Sequence, residues 1–135
     1  MDTRKLLYVV DREDVYEFVK LTMSVMGYEV EWARTGDCAL AAAAQRPFDL
    51  YLLDDWWLAD RTCTGEDVCR SLRSLHPKTP ILICSTTADP RTARRLLGAG
   101  ADDYVKLPDL GTVHPERLAA LIEAGDRRTR PEREP

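Results

Sequence analysis

Two apolar runs each end in an aspartate: Leu6-Leu7-Tyr8-Val9-Val10 leads to Asp11, and Leu50-Tyr51-Leu52-Leu53 leads to Asp54. Runs of this kind suit buried strands and point to an α/β layer arrangement. In open α/β sheets the ligand crevice lies beyond the carboxyl ends of the strands, so two carboxylates delivered there can converge on one cation or phosphate. A third run, Ile81-Leu82-Ile83-Cys84, brings Ser85 and Thr86 to the same edge. The competing reading is that Asp11 and Asp54 only cap the helices that follow them.

The remaining pattern alternates helix and strand. Val15, Phe18, Val19, Thr22, Val25 and Met26 recur at helical spacing, and Gly27 stops that helix. Residues 28–33 read as a second strand, and Thr35-Gly36 opens an alanine-rich helix that Pro47 ends. After the run that ends in Asp54, Val68, Cys69, Leu72 and Leu75 mark a third helix, and residues 79–84 a fourth strand. Asp89-Pro90 starts the next helix as a capping acid followed by proline at the first helical position, with Ala93, Leu96 and Leu97 inward. Residues 102–106 form a fifth strand, and Leu118, Leu121 and Ile122 mark the last helix. Five strands alternating with five helices predict a parallel sheet covered on both faces and joined by right-handed crossovers.

At 135 residues the chain fits one domain, and 44% hydrophobic with 31% charged residues is an ordinary globular balance. A net charge of -4 gives no pull toward nucleic acid or anionic membrane. Cys38, Cys63, Cys69 and Cys84 show no C-x-x-C spacing, so neither a zinc knuckle nor a dithiol motif is indicated, and free thiols in a reducing cytosol are expected. The amino-terminal apolar run is too short for a signal peptide or a membrane span, which predicts a cytoplasmic protein. Residues 126–135 offer no apolar side chain to bury, so the expected organisation is a folded unit over 1–125 and a mobile polar tail over 126–135.

Over about Lys5 to Ala124 the chain resembles the receiver domains of two-component response regulators. The resemblance rests on Val9-Val10-Asp11 at the end of the first strand, Asp49-Leu50-Tyr51-Leu52-Leu53-Asp54, Pro80-Ile81-Leu82-Ile83-Cys84-Ser85, and Gly98-Ala99-Gly100-Ala101-Asp102-Asp103-Tyr104-Val105. It implies a flavodoxin-like doubly wound sheet of order 2-1-3-4-5, which sets Asp11 beside Asp54. It also implies that Asp54 accepts a phosphoryl group from a histidine kinase or phosphotransfer protein and that a downstream effector protein reads the result. Magnesium would be held by Asp11, Asp54 and the backbone carbonyl of Trp56, Ser85 would bond a phosphoryl oxygen, and Tyr104 would report the change. A cation is needed because a carboxylate attacking an anionic phosphoryl group is otherwise repelled. The peptide before Pro108 is expected to be cis, as in the family.

Three departures touch this site. Arg12 stands where the family has a second metal-binding acid, which weakens magnesium binding; the adjacent Glu13 is a candidate substitute, but it also suits the amino end of the first helix. Leu107 precedes Pro108 where the family has a lysine that pairs with the phosphoryl group, and the neighbouring Lys106 faces the other side of its strand. Asp54 and Gly65 are 11 positions apart, about three more than is usual, and the longer loop holds Asp55, Trp56, Trp57, Asp60, Arg61 and Cys63. The two tryptophans suit either loop packing or a partner anchor.

These departures favour a pseudo-receiver in which Arg12 neutralises Asp11 and Asp54 in place of magnesium and the domain acts by protein–protein contact, with no catalytic residue of its own. The alternative is a conventional receiver phosphorylated on Asp54. A flavodoxin-like ligand-binding protein or enzyme is the second alternative; against it, Asp11-Arg12-Glu13-Asp14 replaces any glycine-rich phosphate loop after the first strand.

Overall fold

The computed structural model describes residues 3–54, 65–85, 89–106 and 115–129. Within them, strands β1 (Arg4–Val9), β2 (Tyr28–Ala33), β3 (Leu50–Asp54), β4 (Ile81–Ser85) and β5 (Asp103–Lys106) alternate with helices α1 (Glu13–Val25), α2 (Gly36–Gln45), α3 (Gly65–Leu75), α4 (Pro90–Gly98) and α5 (Pro115–Thr129). The strands pair in parallel, as the alternating pattern predicts, in the order β2-β1-β3-β4-β5 that the family resemblance implies.

β3 and β4 are buried at every position because helices cover both faces of the sheet. On one face Leu7, Val9, Tyr51, Leu53, Ile81 and Ile83 pack with Ala39, Ala43, Val68, Leu72 and Leu96. On the other, Leu6, Tyr8, Leu50, Leu52, Leu82 and Cys84 pack with Tyr16, Val19 and Met23 of α1 and with Leu118 and Ile122 of α5. Each fully buried aliphatic side chain stabilises the fold by about 1.5–3 kcal/mol.

The local signals for helix starts hold. The Thr35 hydroxyl accepts from the Cys38 N–H at 3.1 Å, and the Asp89 carboxylate accepts from the Arg91 N–H at 3.2 Å with Pro90 behind it. Gly27 follows α1 with φ of 92°, a left-handed conformation that suits glycine.

The faces of the helices are less well read from spacing alone. In α1 the buried positions are Tyr16, Val19 and Met23, while Phe18 and Val25 are 51% and 82% exposed. The cause is tertiary: Tyr16 stacks on Trp32 with ring centroids 4.7 Å apart, and that contact sets the rotation of the helix. Leu97 of α4 and Leu75 of α3 are likewise exposed, and Leu96 carries the α4 contact.

The edge where the strands begin is laced by polar contacts. Arg73 donates to the carbonyls of Pro77, Thr79 and Gly100 and pairs with Asp102 at 2.5 Å, and Asp102 in turn accepts from the Ile81 N–H. Arg4 pairs with Asp49 and, at 2.6 Å, with Asp126. α5 runs through Thr129, past the expected boundary at 125/126, and Asp126 is held by its charge pair with Arg4. Cys38, Cys69 and Cys84 are free thiols, and Cys63 lies outside the described residues. Among the described residues no helix is long and apolar enough to cross a membrane.

Candidate functional site

β1 and β3 are neighbours with Val9 opposite Leu53, so Asp11 and Asp54 leave the sheet at the same edge. Asp54 lies opposite Cys84 of β4, and Ser85, the next residue, lies opposite Lys106 of β5. The structure thus gathers Asp11, Asp54 and Ser85 at the carboxyl ends of three adjacent strands. Asp54 is 6% exposed and Ser85 is fully buried.

Asp11 does not cap α1. The capping position belongs to Arg12, whose backbone is extended and whose side chain makes no capping bond, and Oδ1 of Asp11 is buried with no hydrogen-bond partner. An unsatisfied buried oxygen of this kind costs of order 1–3 kcal/mol or more, so its retention needs a reason outside the fold. A cation supplies one.

Arg12 is not that cation. Its guanidinium turns outward and pairs with Asp14 at 2.6 Å, with both side chains well exposed. This corrects the expectation that Arg12 bridges Asp11 and Asp54. The reason is proximity: Asp14, two residues on at the first turn of the helix, offers a two-pronged partner already in water, so the arginine need not be desolvated. The hydrogen bond and charge of Asp14 dominate the upward shift of Arg12, with Asp11 and Asp54 as smaller influences, and Arg12 in turn holds Asp14 below the usual carboxylate range. Glu13 is exposed in the first turn of α1 and suits its amino end.

Tyr104 is half-buried against the α2–α4 side of the sheet, and Lys106, opposite Ser85, is exposed. Asp55, Trp56, Trp57 and the rest of the long loop after Asp54, together with Thr86, Leu107 and the Leu107–Pro108 peptide, lie outside the described residues.

Two contributors to the site are absent from the motif reading. Trp32 donates its indole N–H to the Val10 carbonyl and so braces the residue before Asp11. Tyr8, read only as part of an apolar run, places a hydroxyl in the core against Cys84, the residue opposite Asp54; a phenol among aliphatic residues in a buried strand was the available signal.

Residues 6–122 match the family described as Response regulator receiver domain, and the chain belongs to it. It is therefore a receiver of two-component signalling, a class that works between histidine kinases and effectors. It is 33% identical over 135 residues to the response regulator protein PilR of Pseudomonas aeruginosa, covering 99% of this chain and 28% of that protein. It is 37% identical over 130 residues to the response regulator MprA of Mycobacterium leprae, covering 95% of this chain and 53% of that protein. The chain thus spans about half or less of these curated relatives. Among solved structures, the chemotaxis protein CheY4 of Vibrio cholerae superposes with a TM-score of 0.76 at 28% identity, covering 89% of this chain and 99% of that one.

Proposed function

We propose that this receiver accepts a phosphoryl group on Asp54 from a phosphorylated histidine of a kinase or phosphotransfer protein, using a weakened divalent-cation site, and passes the signal by protein–protein contact to an effector. The observation that carries this reading is the buried, unpartnered Oδ1 of Asp11 at the same sheet edge as Asp54, with Arg12 turned away to Asp14.

Two carboxylates fit magnesium, which takes one or two carboxylates with phosphate and water oxygens rather than an all-protein cage. Asp11 and Asp54 are the residues to hold it, and when bound it neutralises charge between acceptor and phosphoryl group.

The residues of the chain supply the rest. An Asp54 oxygen forms the new bond to phosphorus as the bond from phosphorus to the donor breaks, and the Ser85 hydroxyl bonds a phosphoryl oxygen. The chain then acts as a signalling module rather than an enzyme on a small-molecule substrate.

Incubation with acetyl phosphate, with and without magnesium, tests the proposal by intact mass. One added phosphoryl group that needs magnesium and is lost in Asp54→Asn supports it. An unmodified protein at saturating magnesium overturns it in favour of a pseudo-receiver that signals without phosphorylation.

A further inference from the structure

Asp11 lies two positions after the end of β1 and two before the start of α1, so its backbone belongs to neither element. Its two neighbours are nevertheless fixed. On one side, Val10 donates its N–H to the Ala33 carbonyl at 3.1 Å, and its own carbonyl accepts from the Trp32 indole N–H at 2.9 Å. β2 ends at Ala33, so past that point a side chain makes the bond. The peptide unit is planar, and holding the Val10 carbonyl therefore also orients the Asp11 N–H. On the other side, the Arg12 carbonyl accepts from the Tyr16 N–H at 3.1 Å in the first turn of α1.

These two anchors are joined to each other. The Tyr16 and Trp32 rings stack with centroids 4.7 Å apart and 9° between their planes, and the Arg34 guanidinium lies 4.4 Å from the indole centroid. Val10, Trp32, Tyr16 and Arg12 form a circuit that Asp11 alone closes. Stacked rings contribute about 0.5–1.5 kcal/mol beyond the area they bury, and Tyr16 is buried, so the circuit is stiff. A stiff backbone explains how Oδ1 of Asp11 stays buried with no hydrogen-bond partner among the described residues. An acid on a loose segment would turn until it found one.

We infer that Trp32 is a positioning residue for the divalent cation: through the Val10 carbonyl and the Tyr16 stack it holds Asp11 in place at the sheet edge before the cation arrives. The inference rests on Asp11 being a cation ligand. Groups fixed beforehand lose less freedom on binding, and residues that orient ligands govern metal affinity for that reason. The effect counts for more here because the residue after Asp11 is an arginine that pairs with Asp14 and adds no carboxylate of its own. Coupling is reciprocal, so a clamp that raises cation affinity is itself tightened by the cation.

The test titrates the wild type, Trp32→Phe and Gly125→Ala with magnesium, following backbone amide signals in nitrogen-15 spectra. Trp32→Phe keeps a ring against Tyr16 and removes the donor. Gly125→Ala strains α5 against Pro80, just before β4 begins at the opposite edge of the sheet, and controls for lost stability. Magnesium affinity should fall about tenfold in Trp32→Phe and stay at the wild-type value in Gly125→Ala. Nitrogen-15 relaxation without magnesium should show the Asp11 and Arg12 amides more mobile in Trp32→Phe alone. Equal affinity in the wild type and Trp32→Phe overturns the inference, and so does an equal loss in both variants. A wild type that takes no magnesium removes the cation reading instead; relaxation then judges the clamp, and unchanged mobility at Asp11 overturns it. Should Trp32→Phe not fold, the unsubstituted protein decides: saturating magnesium should slow hydrogen exchange of the Trp32 indole N–H, and exchange that ignores magnesium overturns the inference.

Discussion

Trp32 donates its indole N–H to the carbonyl of Val10 at 2.9 Å, so an edge-strand side chain holds the backbone that delivers Asp11. The indole is itself held between Tyr16 on one side and the Arg34 guanidinium, 4.4 Å from the ring centroid. Trp32→Phe keeps an aromatic surface but removes the donor, leaving the Val10 carbonyl unsatisfied. The expected loss is about 1–3 kcal/mol of stability, measured by urea unfolding followed by circular dichroism. An unchanged midpoint would show that water replaces the indole.

Arg12 and magnesium give a pair of opposite expectations. Since Arg12 faces Asp14 and solvent, Arg12→Ala should change magnesium affinity only slightly. Arg12→Asp adds a third acid beside two carboxylates and should tighten binding by about tenfold or more. Calorimetric titration of the three proteins with magnesium decides; a large gain in Arg12→Ala would mean that the arginine opposes the cation directly.

Gly125→Ala sets helix propensity against packing. In an open helix the change should stabilise by about 0.8–1.0 kcal/mol. Here a Cβ would meet Cδ of Pro80 at 2.7 Å and the Lys78 carbonyl at 3.4 Å. Overpacking of this kind destabilises by about 1–3 kcal/mol, so the net sign should be unfavourable. A raised melting temperature would show that α5 can shift away from Pro80.

The alkaline limb of stability should follow the buried tyrosines. Burial pushes the Tyr51 phenol from its ordinary 10.0 up to about 12. Below the ordinary value the folded and unfolded states bind the same proton, so the stabilisation is fully present. Above it the unfolded chain releases the proton first, and stability falls as pH rises toward the folded value. Urea midpoints measured across this window should decline in the wild type and decline less steeply in Tyr51→Phe. The substitution also removes the hydrogen bond between the Tyr51 hydroxyl and His76 Nδ1, so the variant should start from a lower plateau.

Features that depend on neighbours in sequence were legible before the structure. The strand ends at Asp11, Asp54 and Ser85 follow from unbroken apolar runs, and the starts of α2 and α4 follow from Thr35 and Asp89, whose capping bonds span a few residues. Features that depend on competition between partners were not. Arg12 had two sets of acids within reach, and only coordinates show Asp14 taking it. The rotation of α1 was hidden because Phe18 and Val25 are as apolar as Tyr16 and Met23; the stack on Trp32, 16 residues along the chain, breaks the tie.

The Arg73 cluster has a mechanical consequence. One guanidinium ties the carbonyls of Pro77, Thr79 and Gly100 to Asp102, and Asp102 clamps the Ile81 amide where β4 begins. Local opening happens where few such ties exist, and this edge has many. Amide exchange at Ile81 and Asp102 should therefore be slow and indifferent to phosphorylation, whereas exchange near Ser85 should respond; equal responses at both edges would contradict this. On that outcome, deformation begun at Asp54 should stay in the half of the molecule where it starts, and a protein that reads the signal should bind that half.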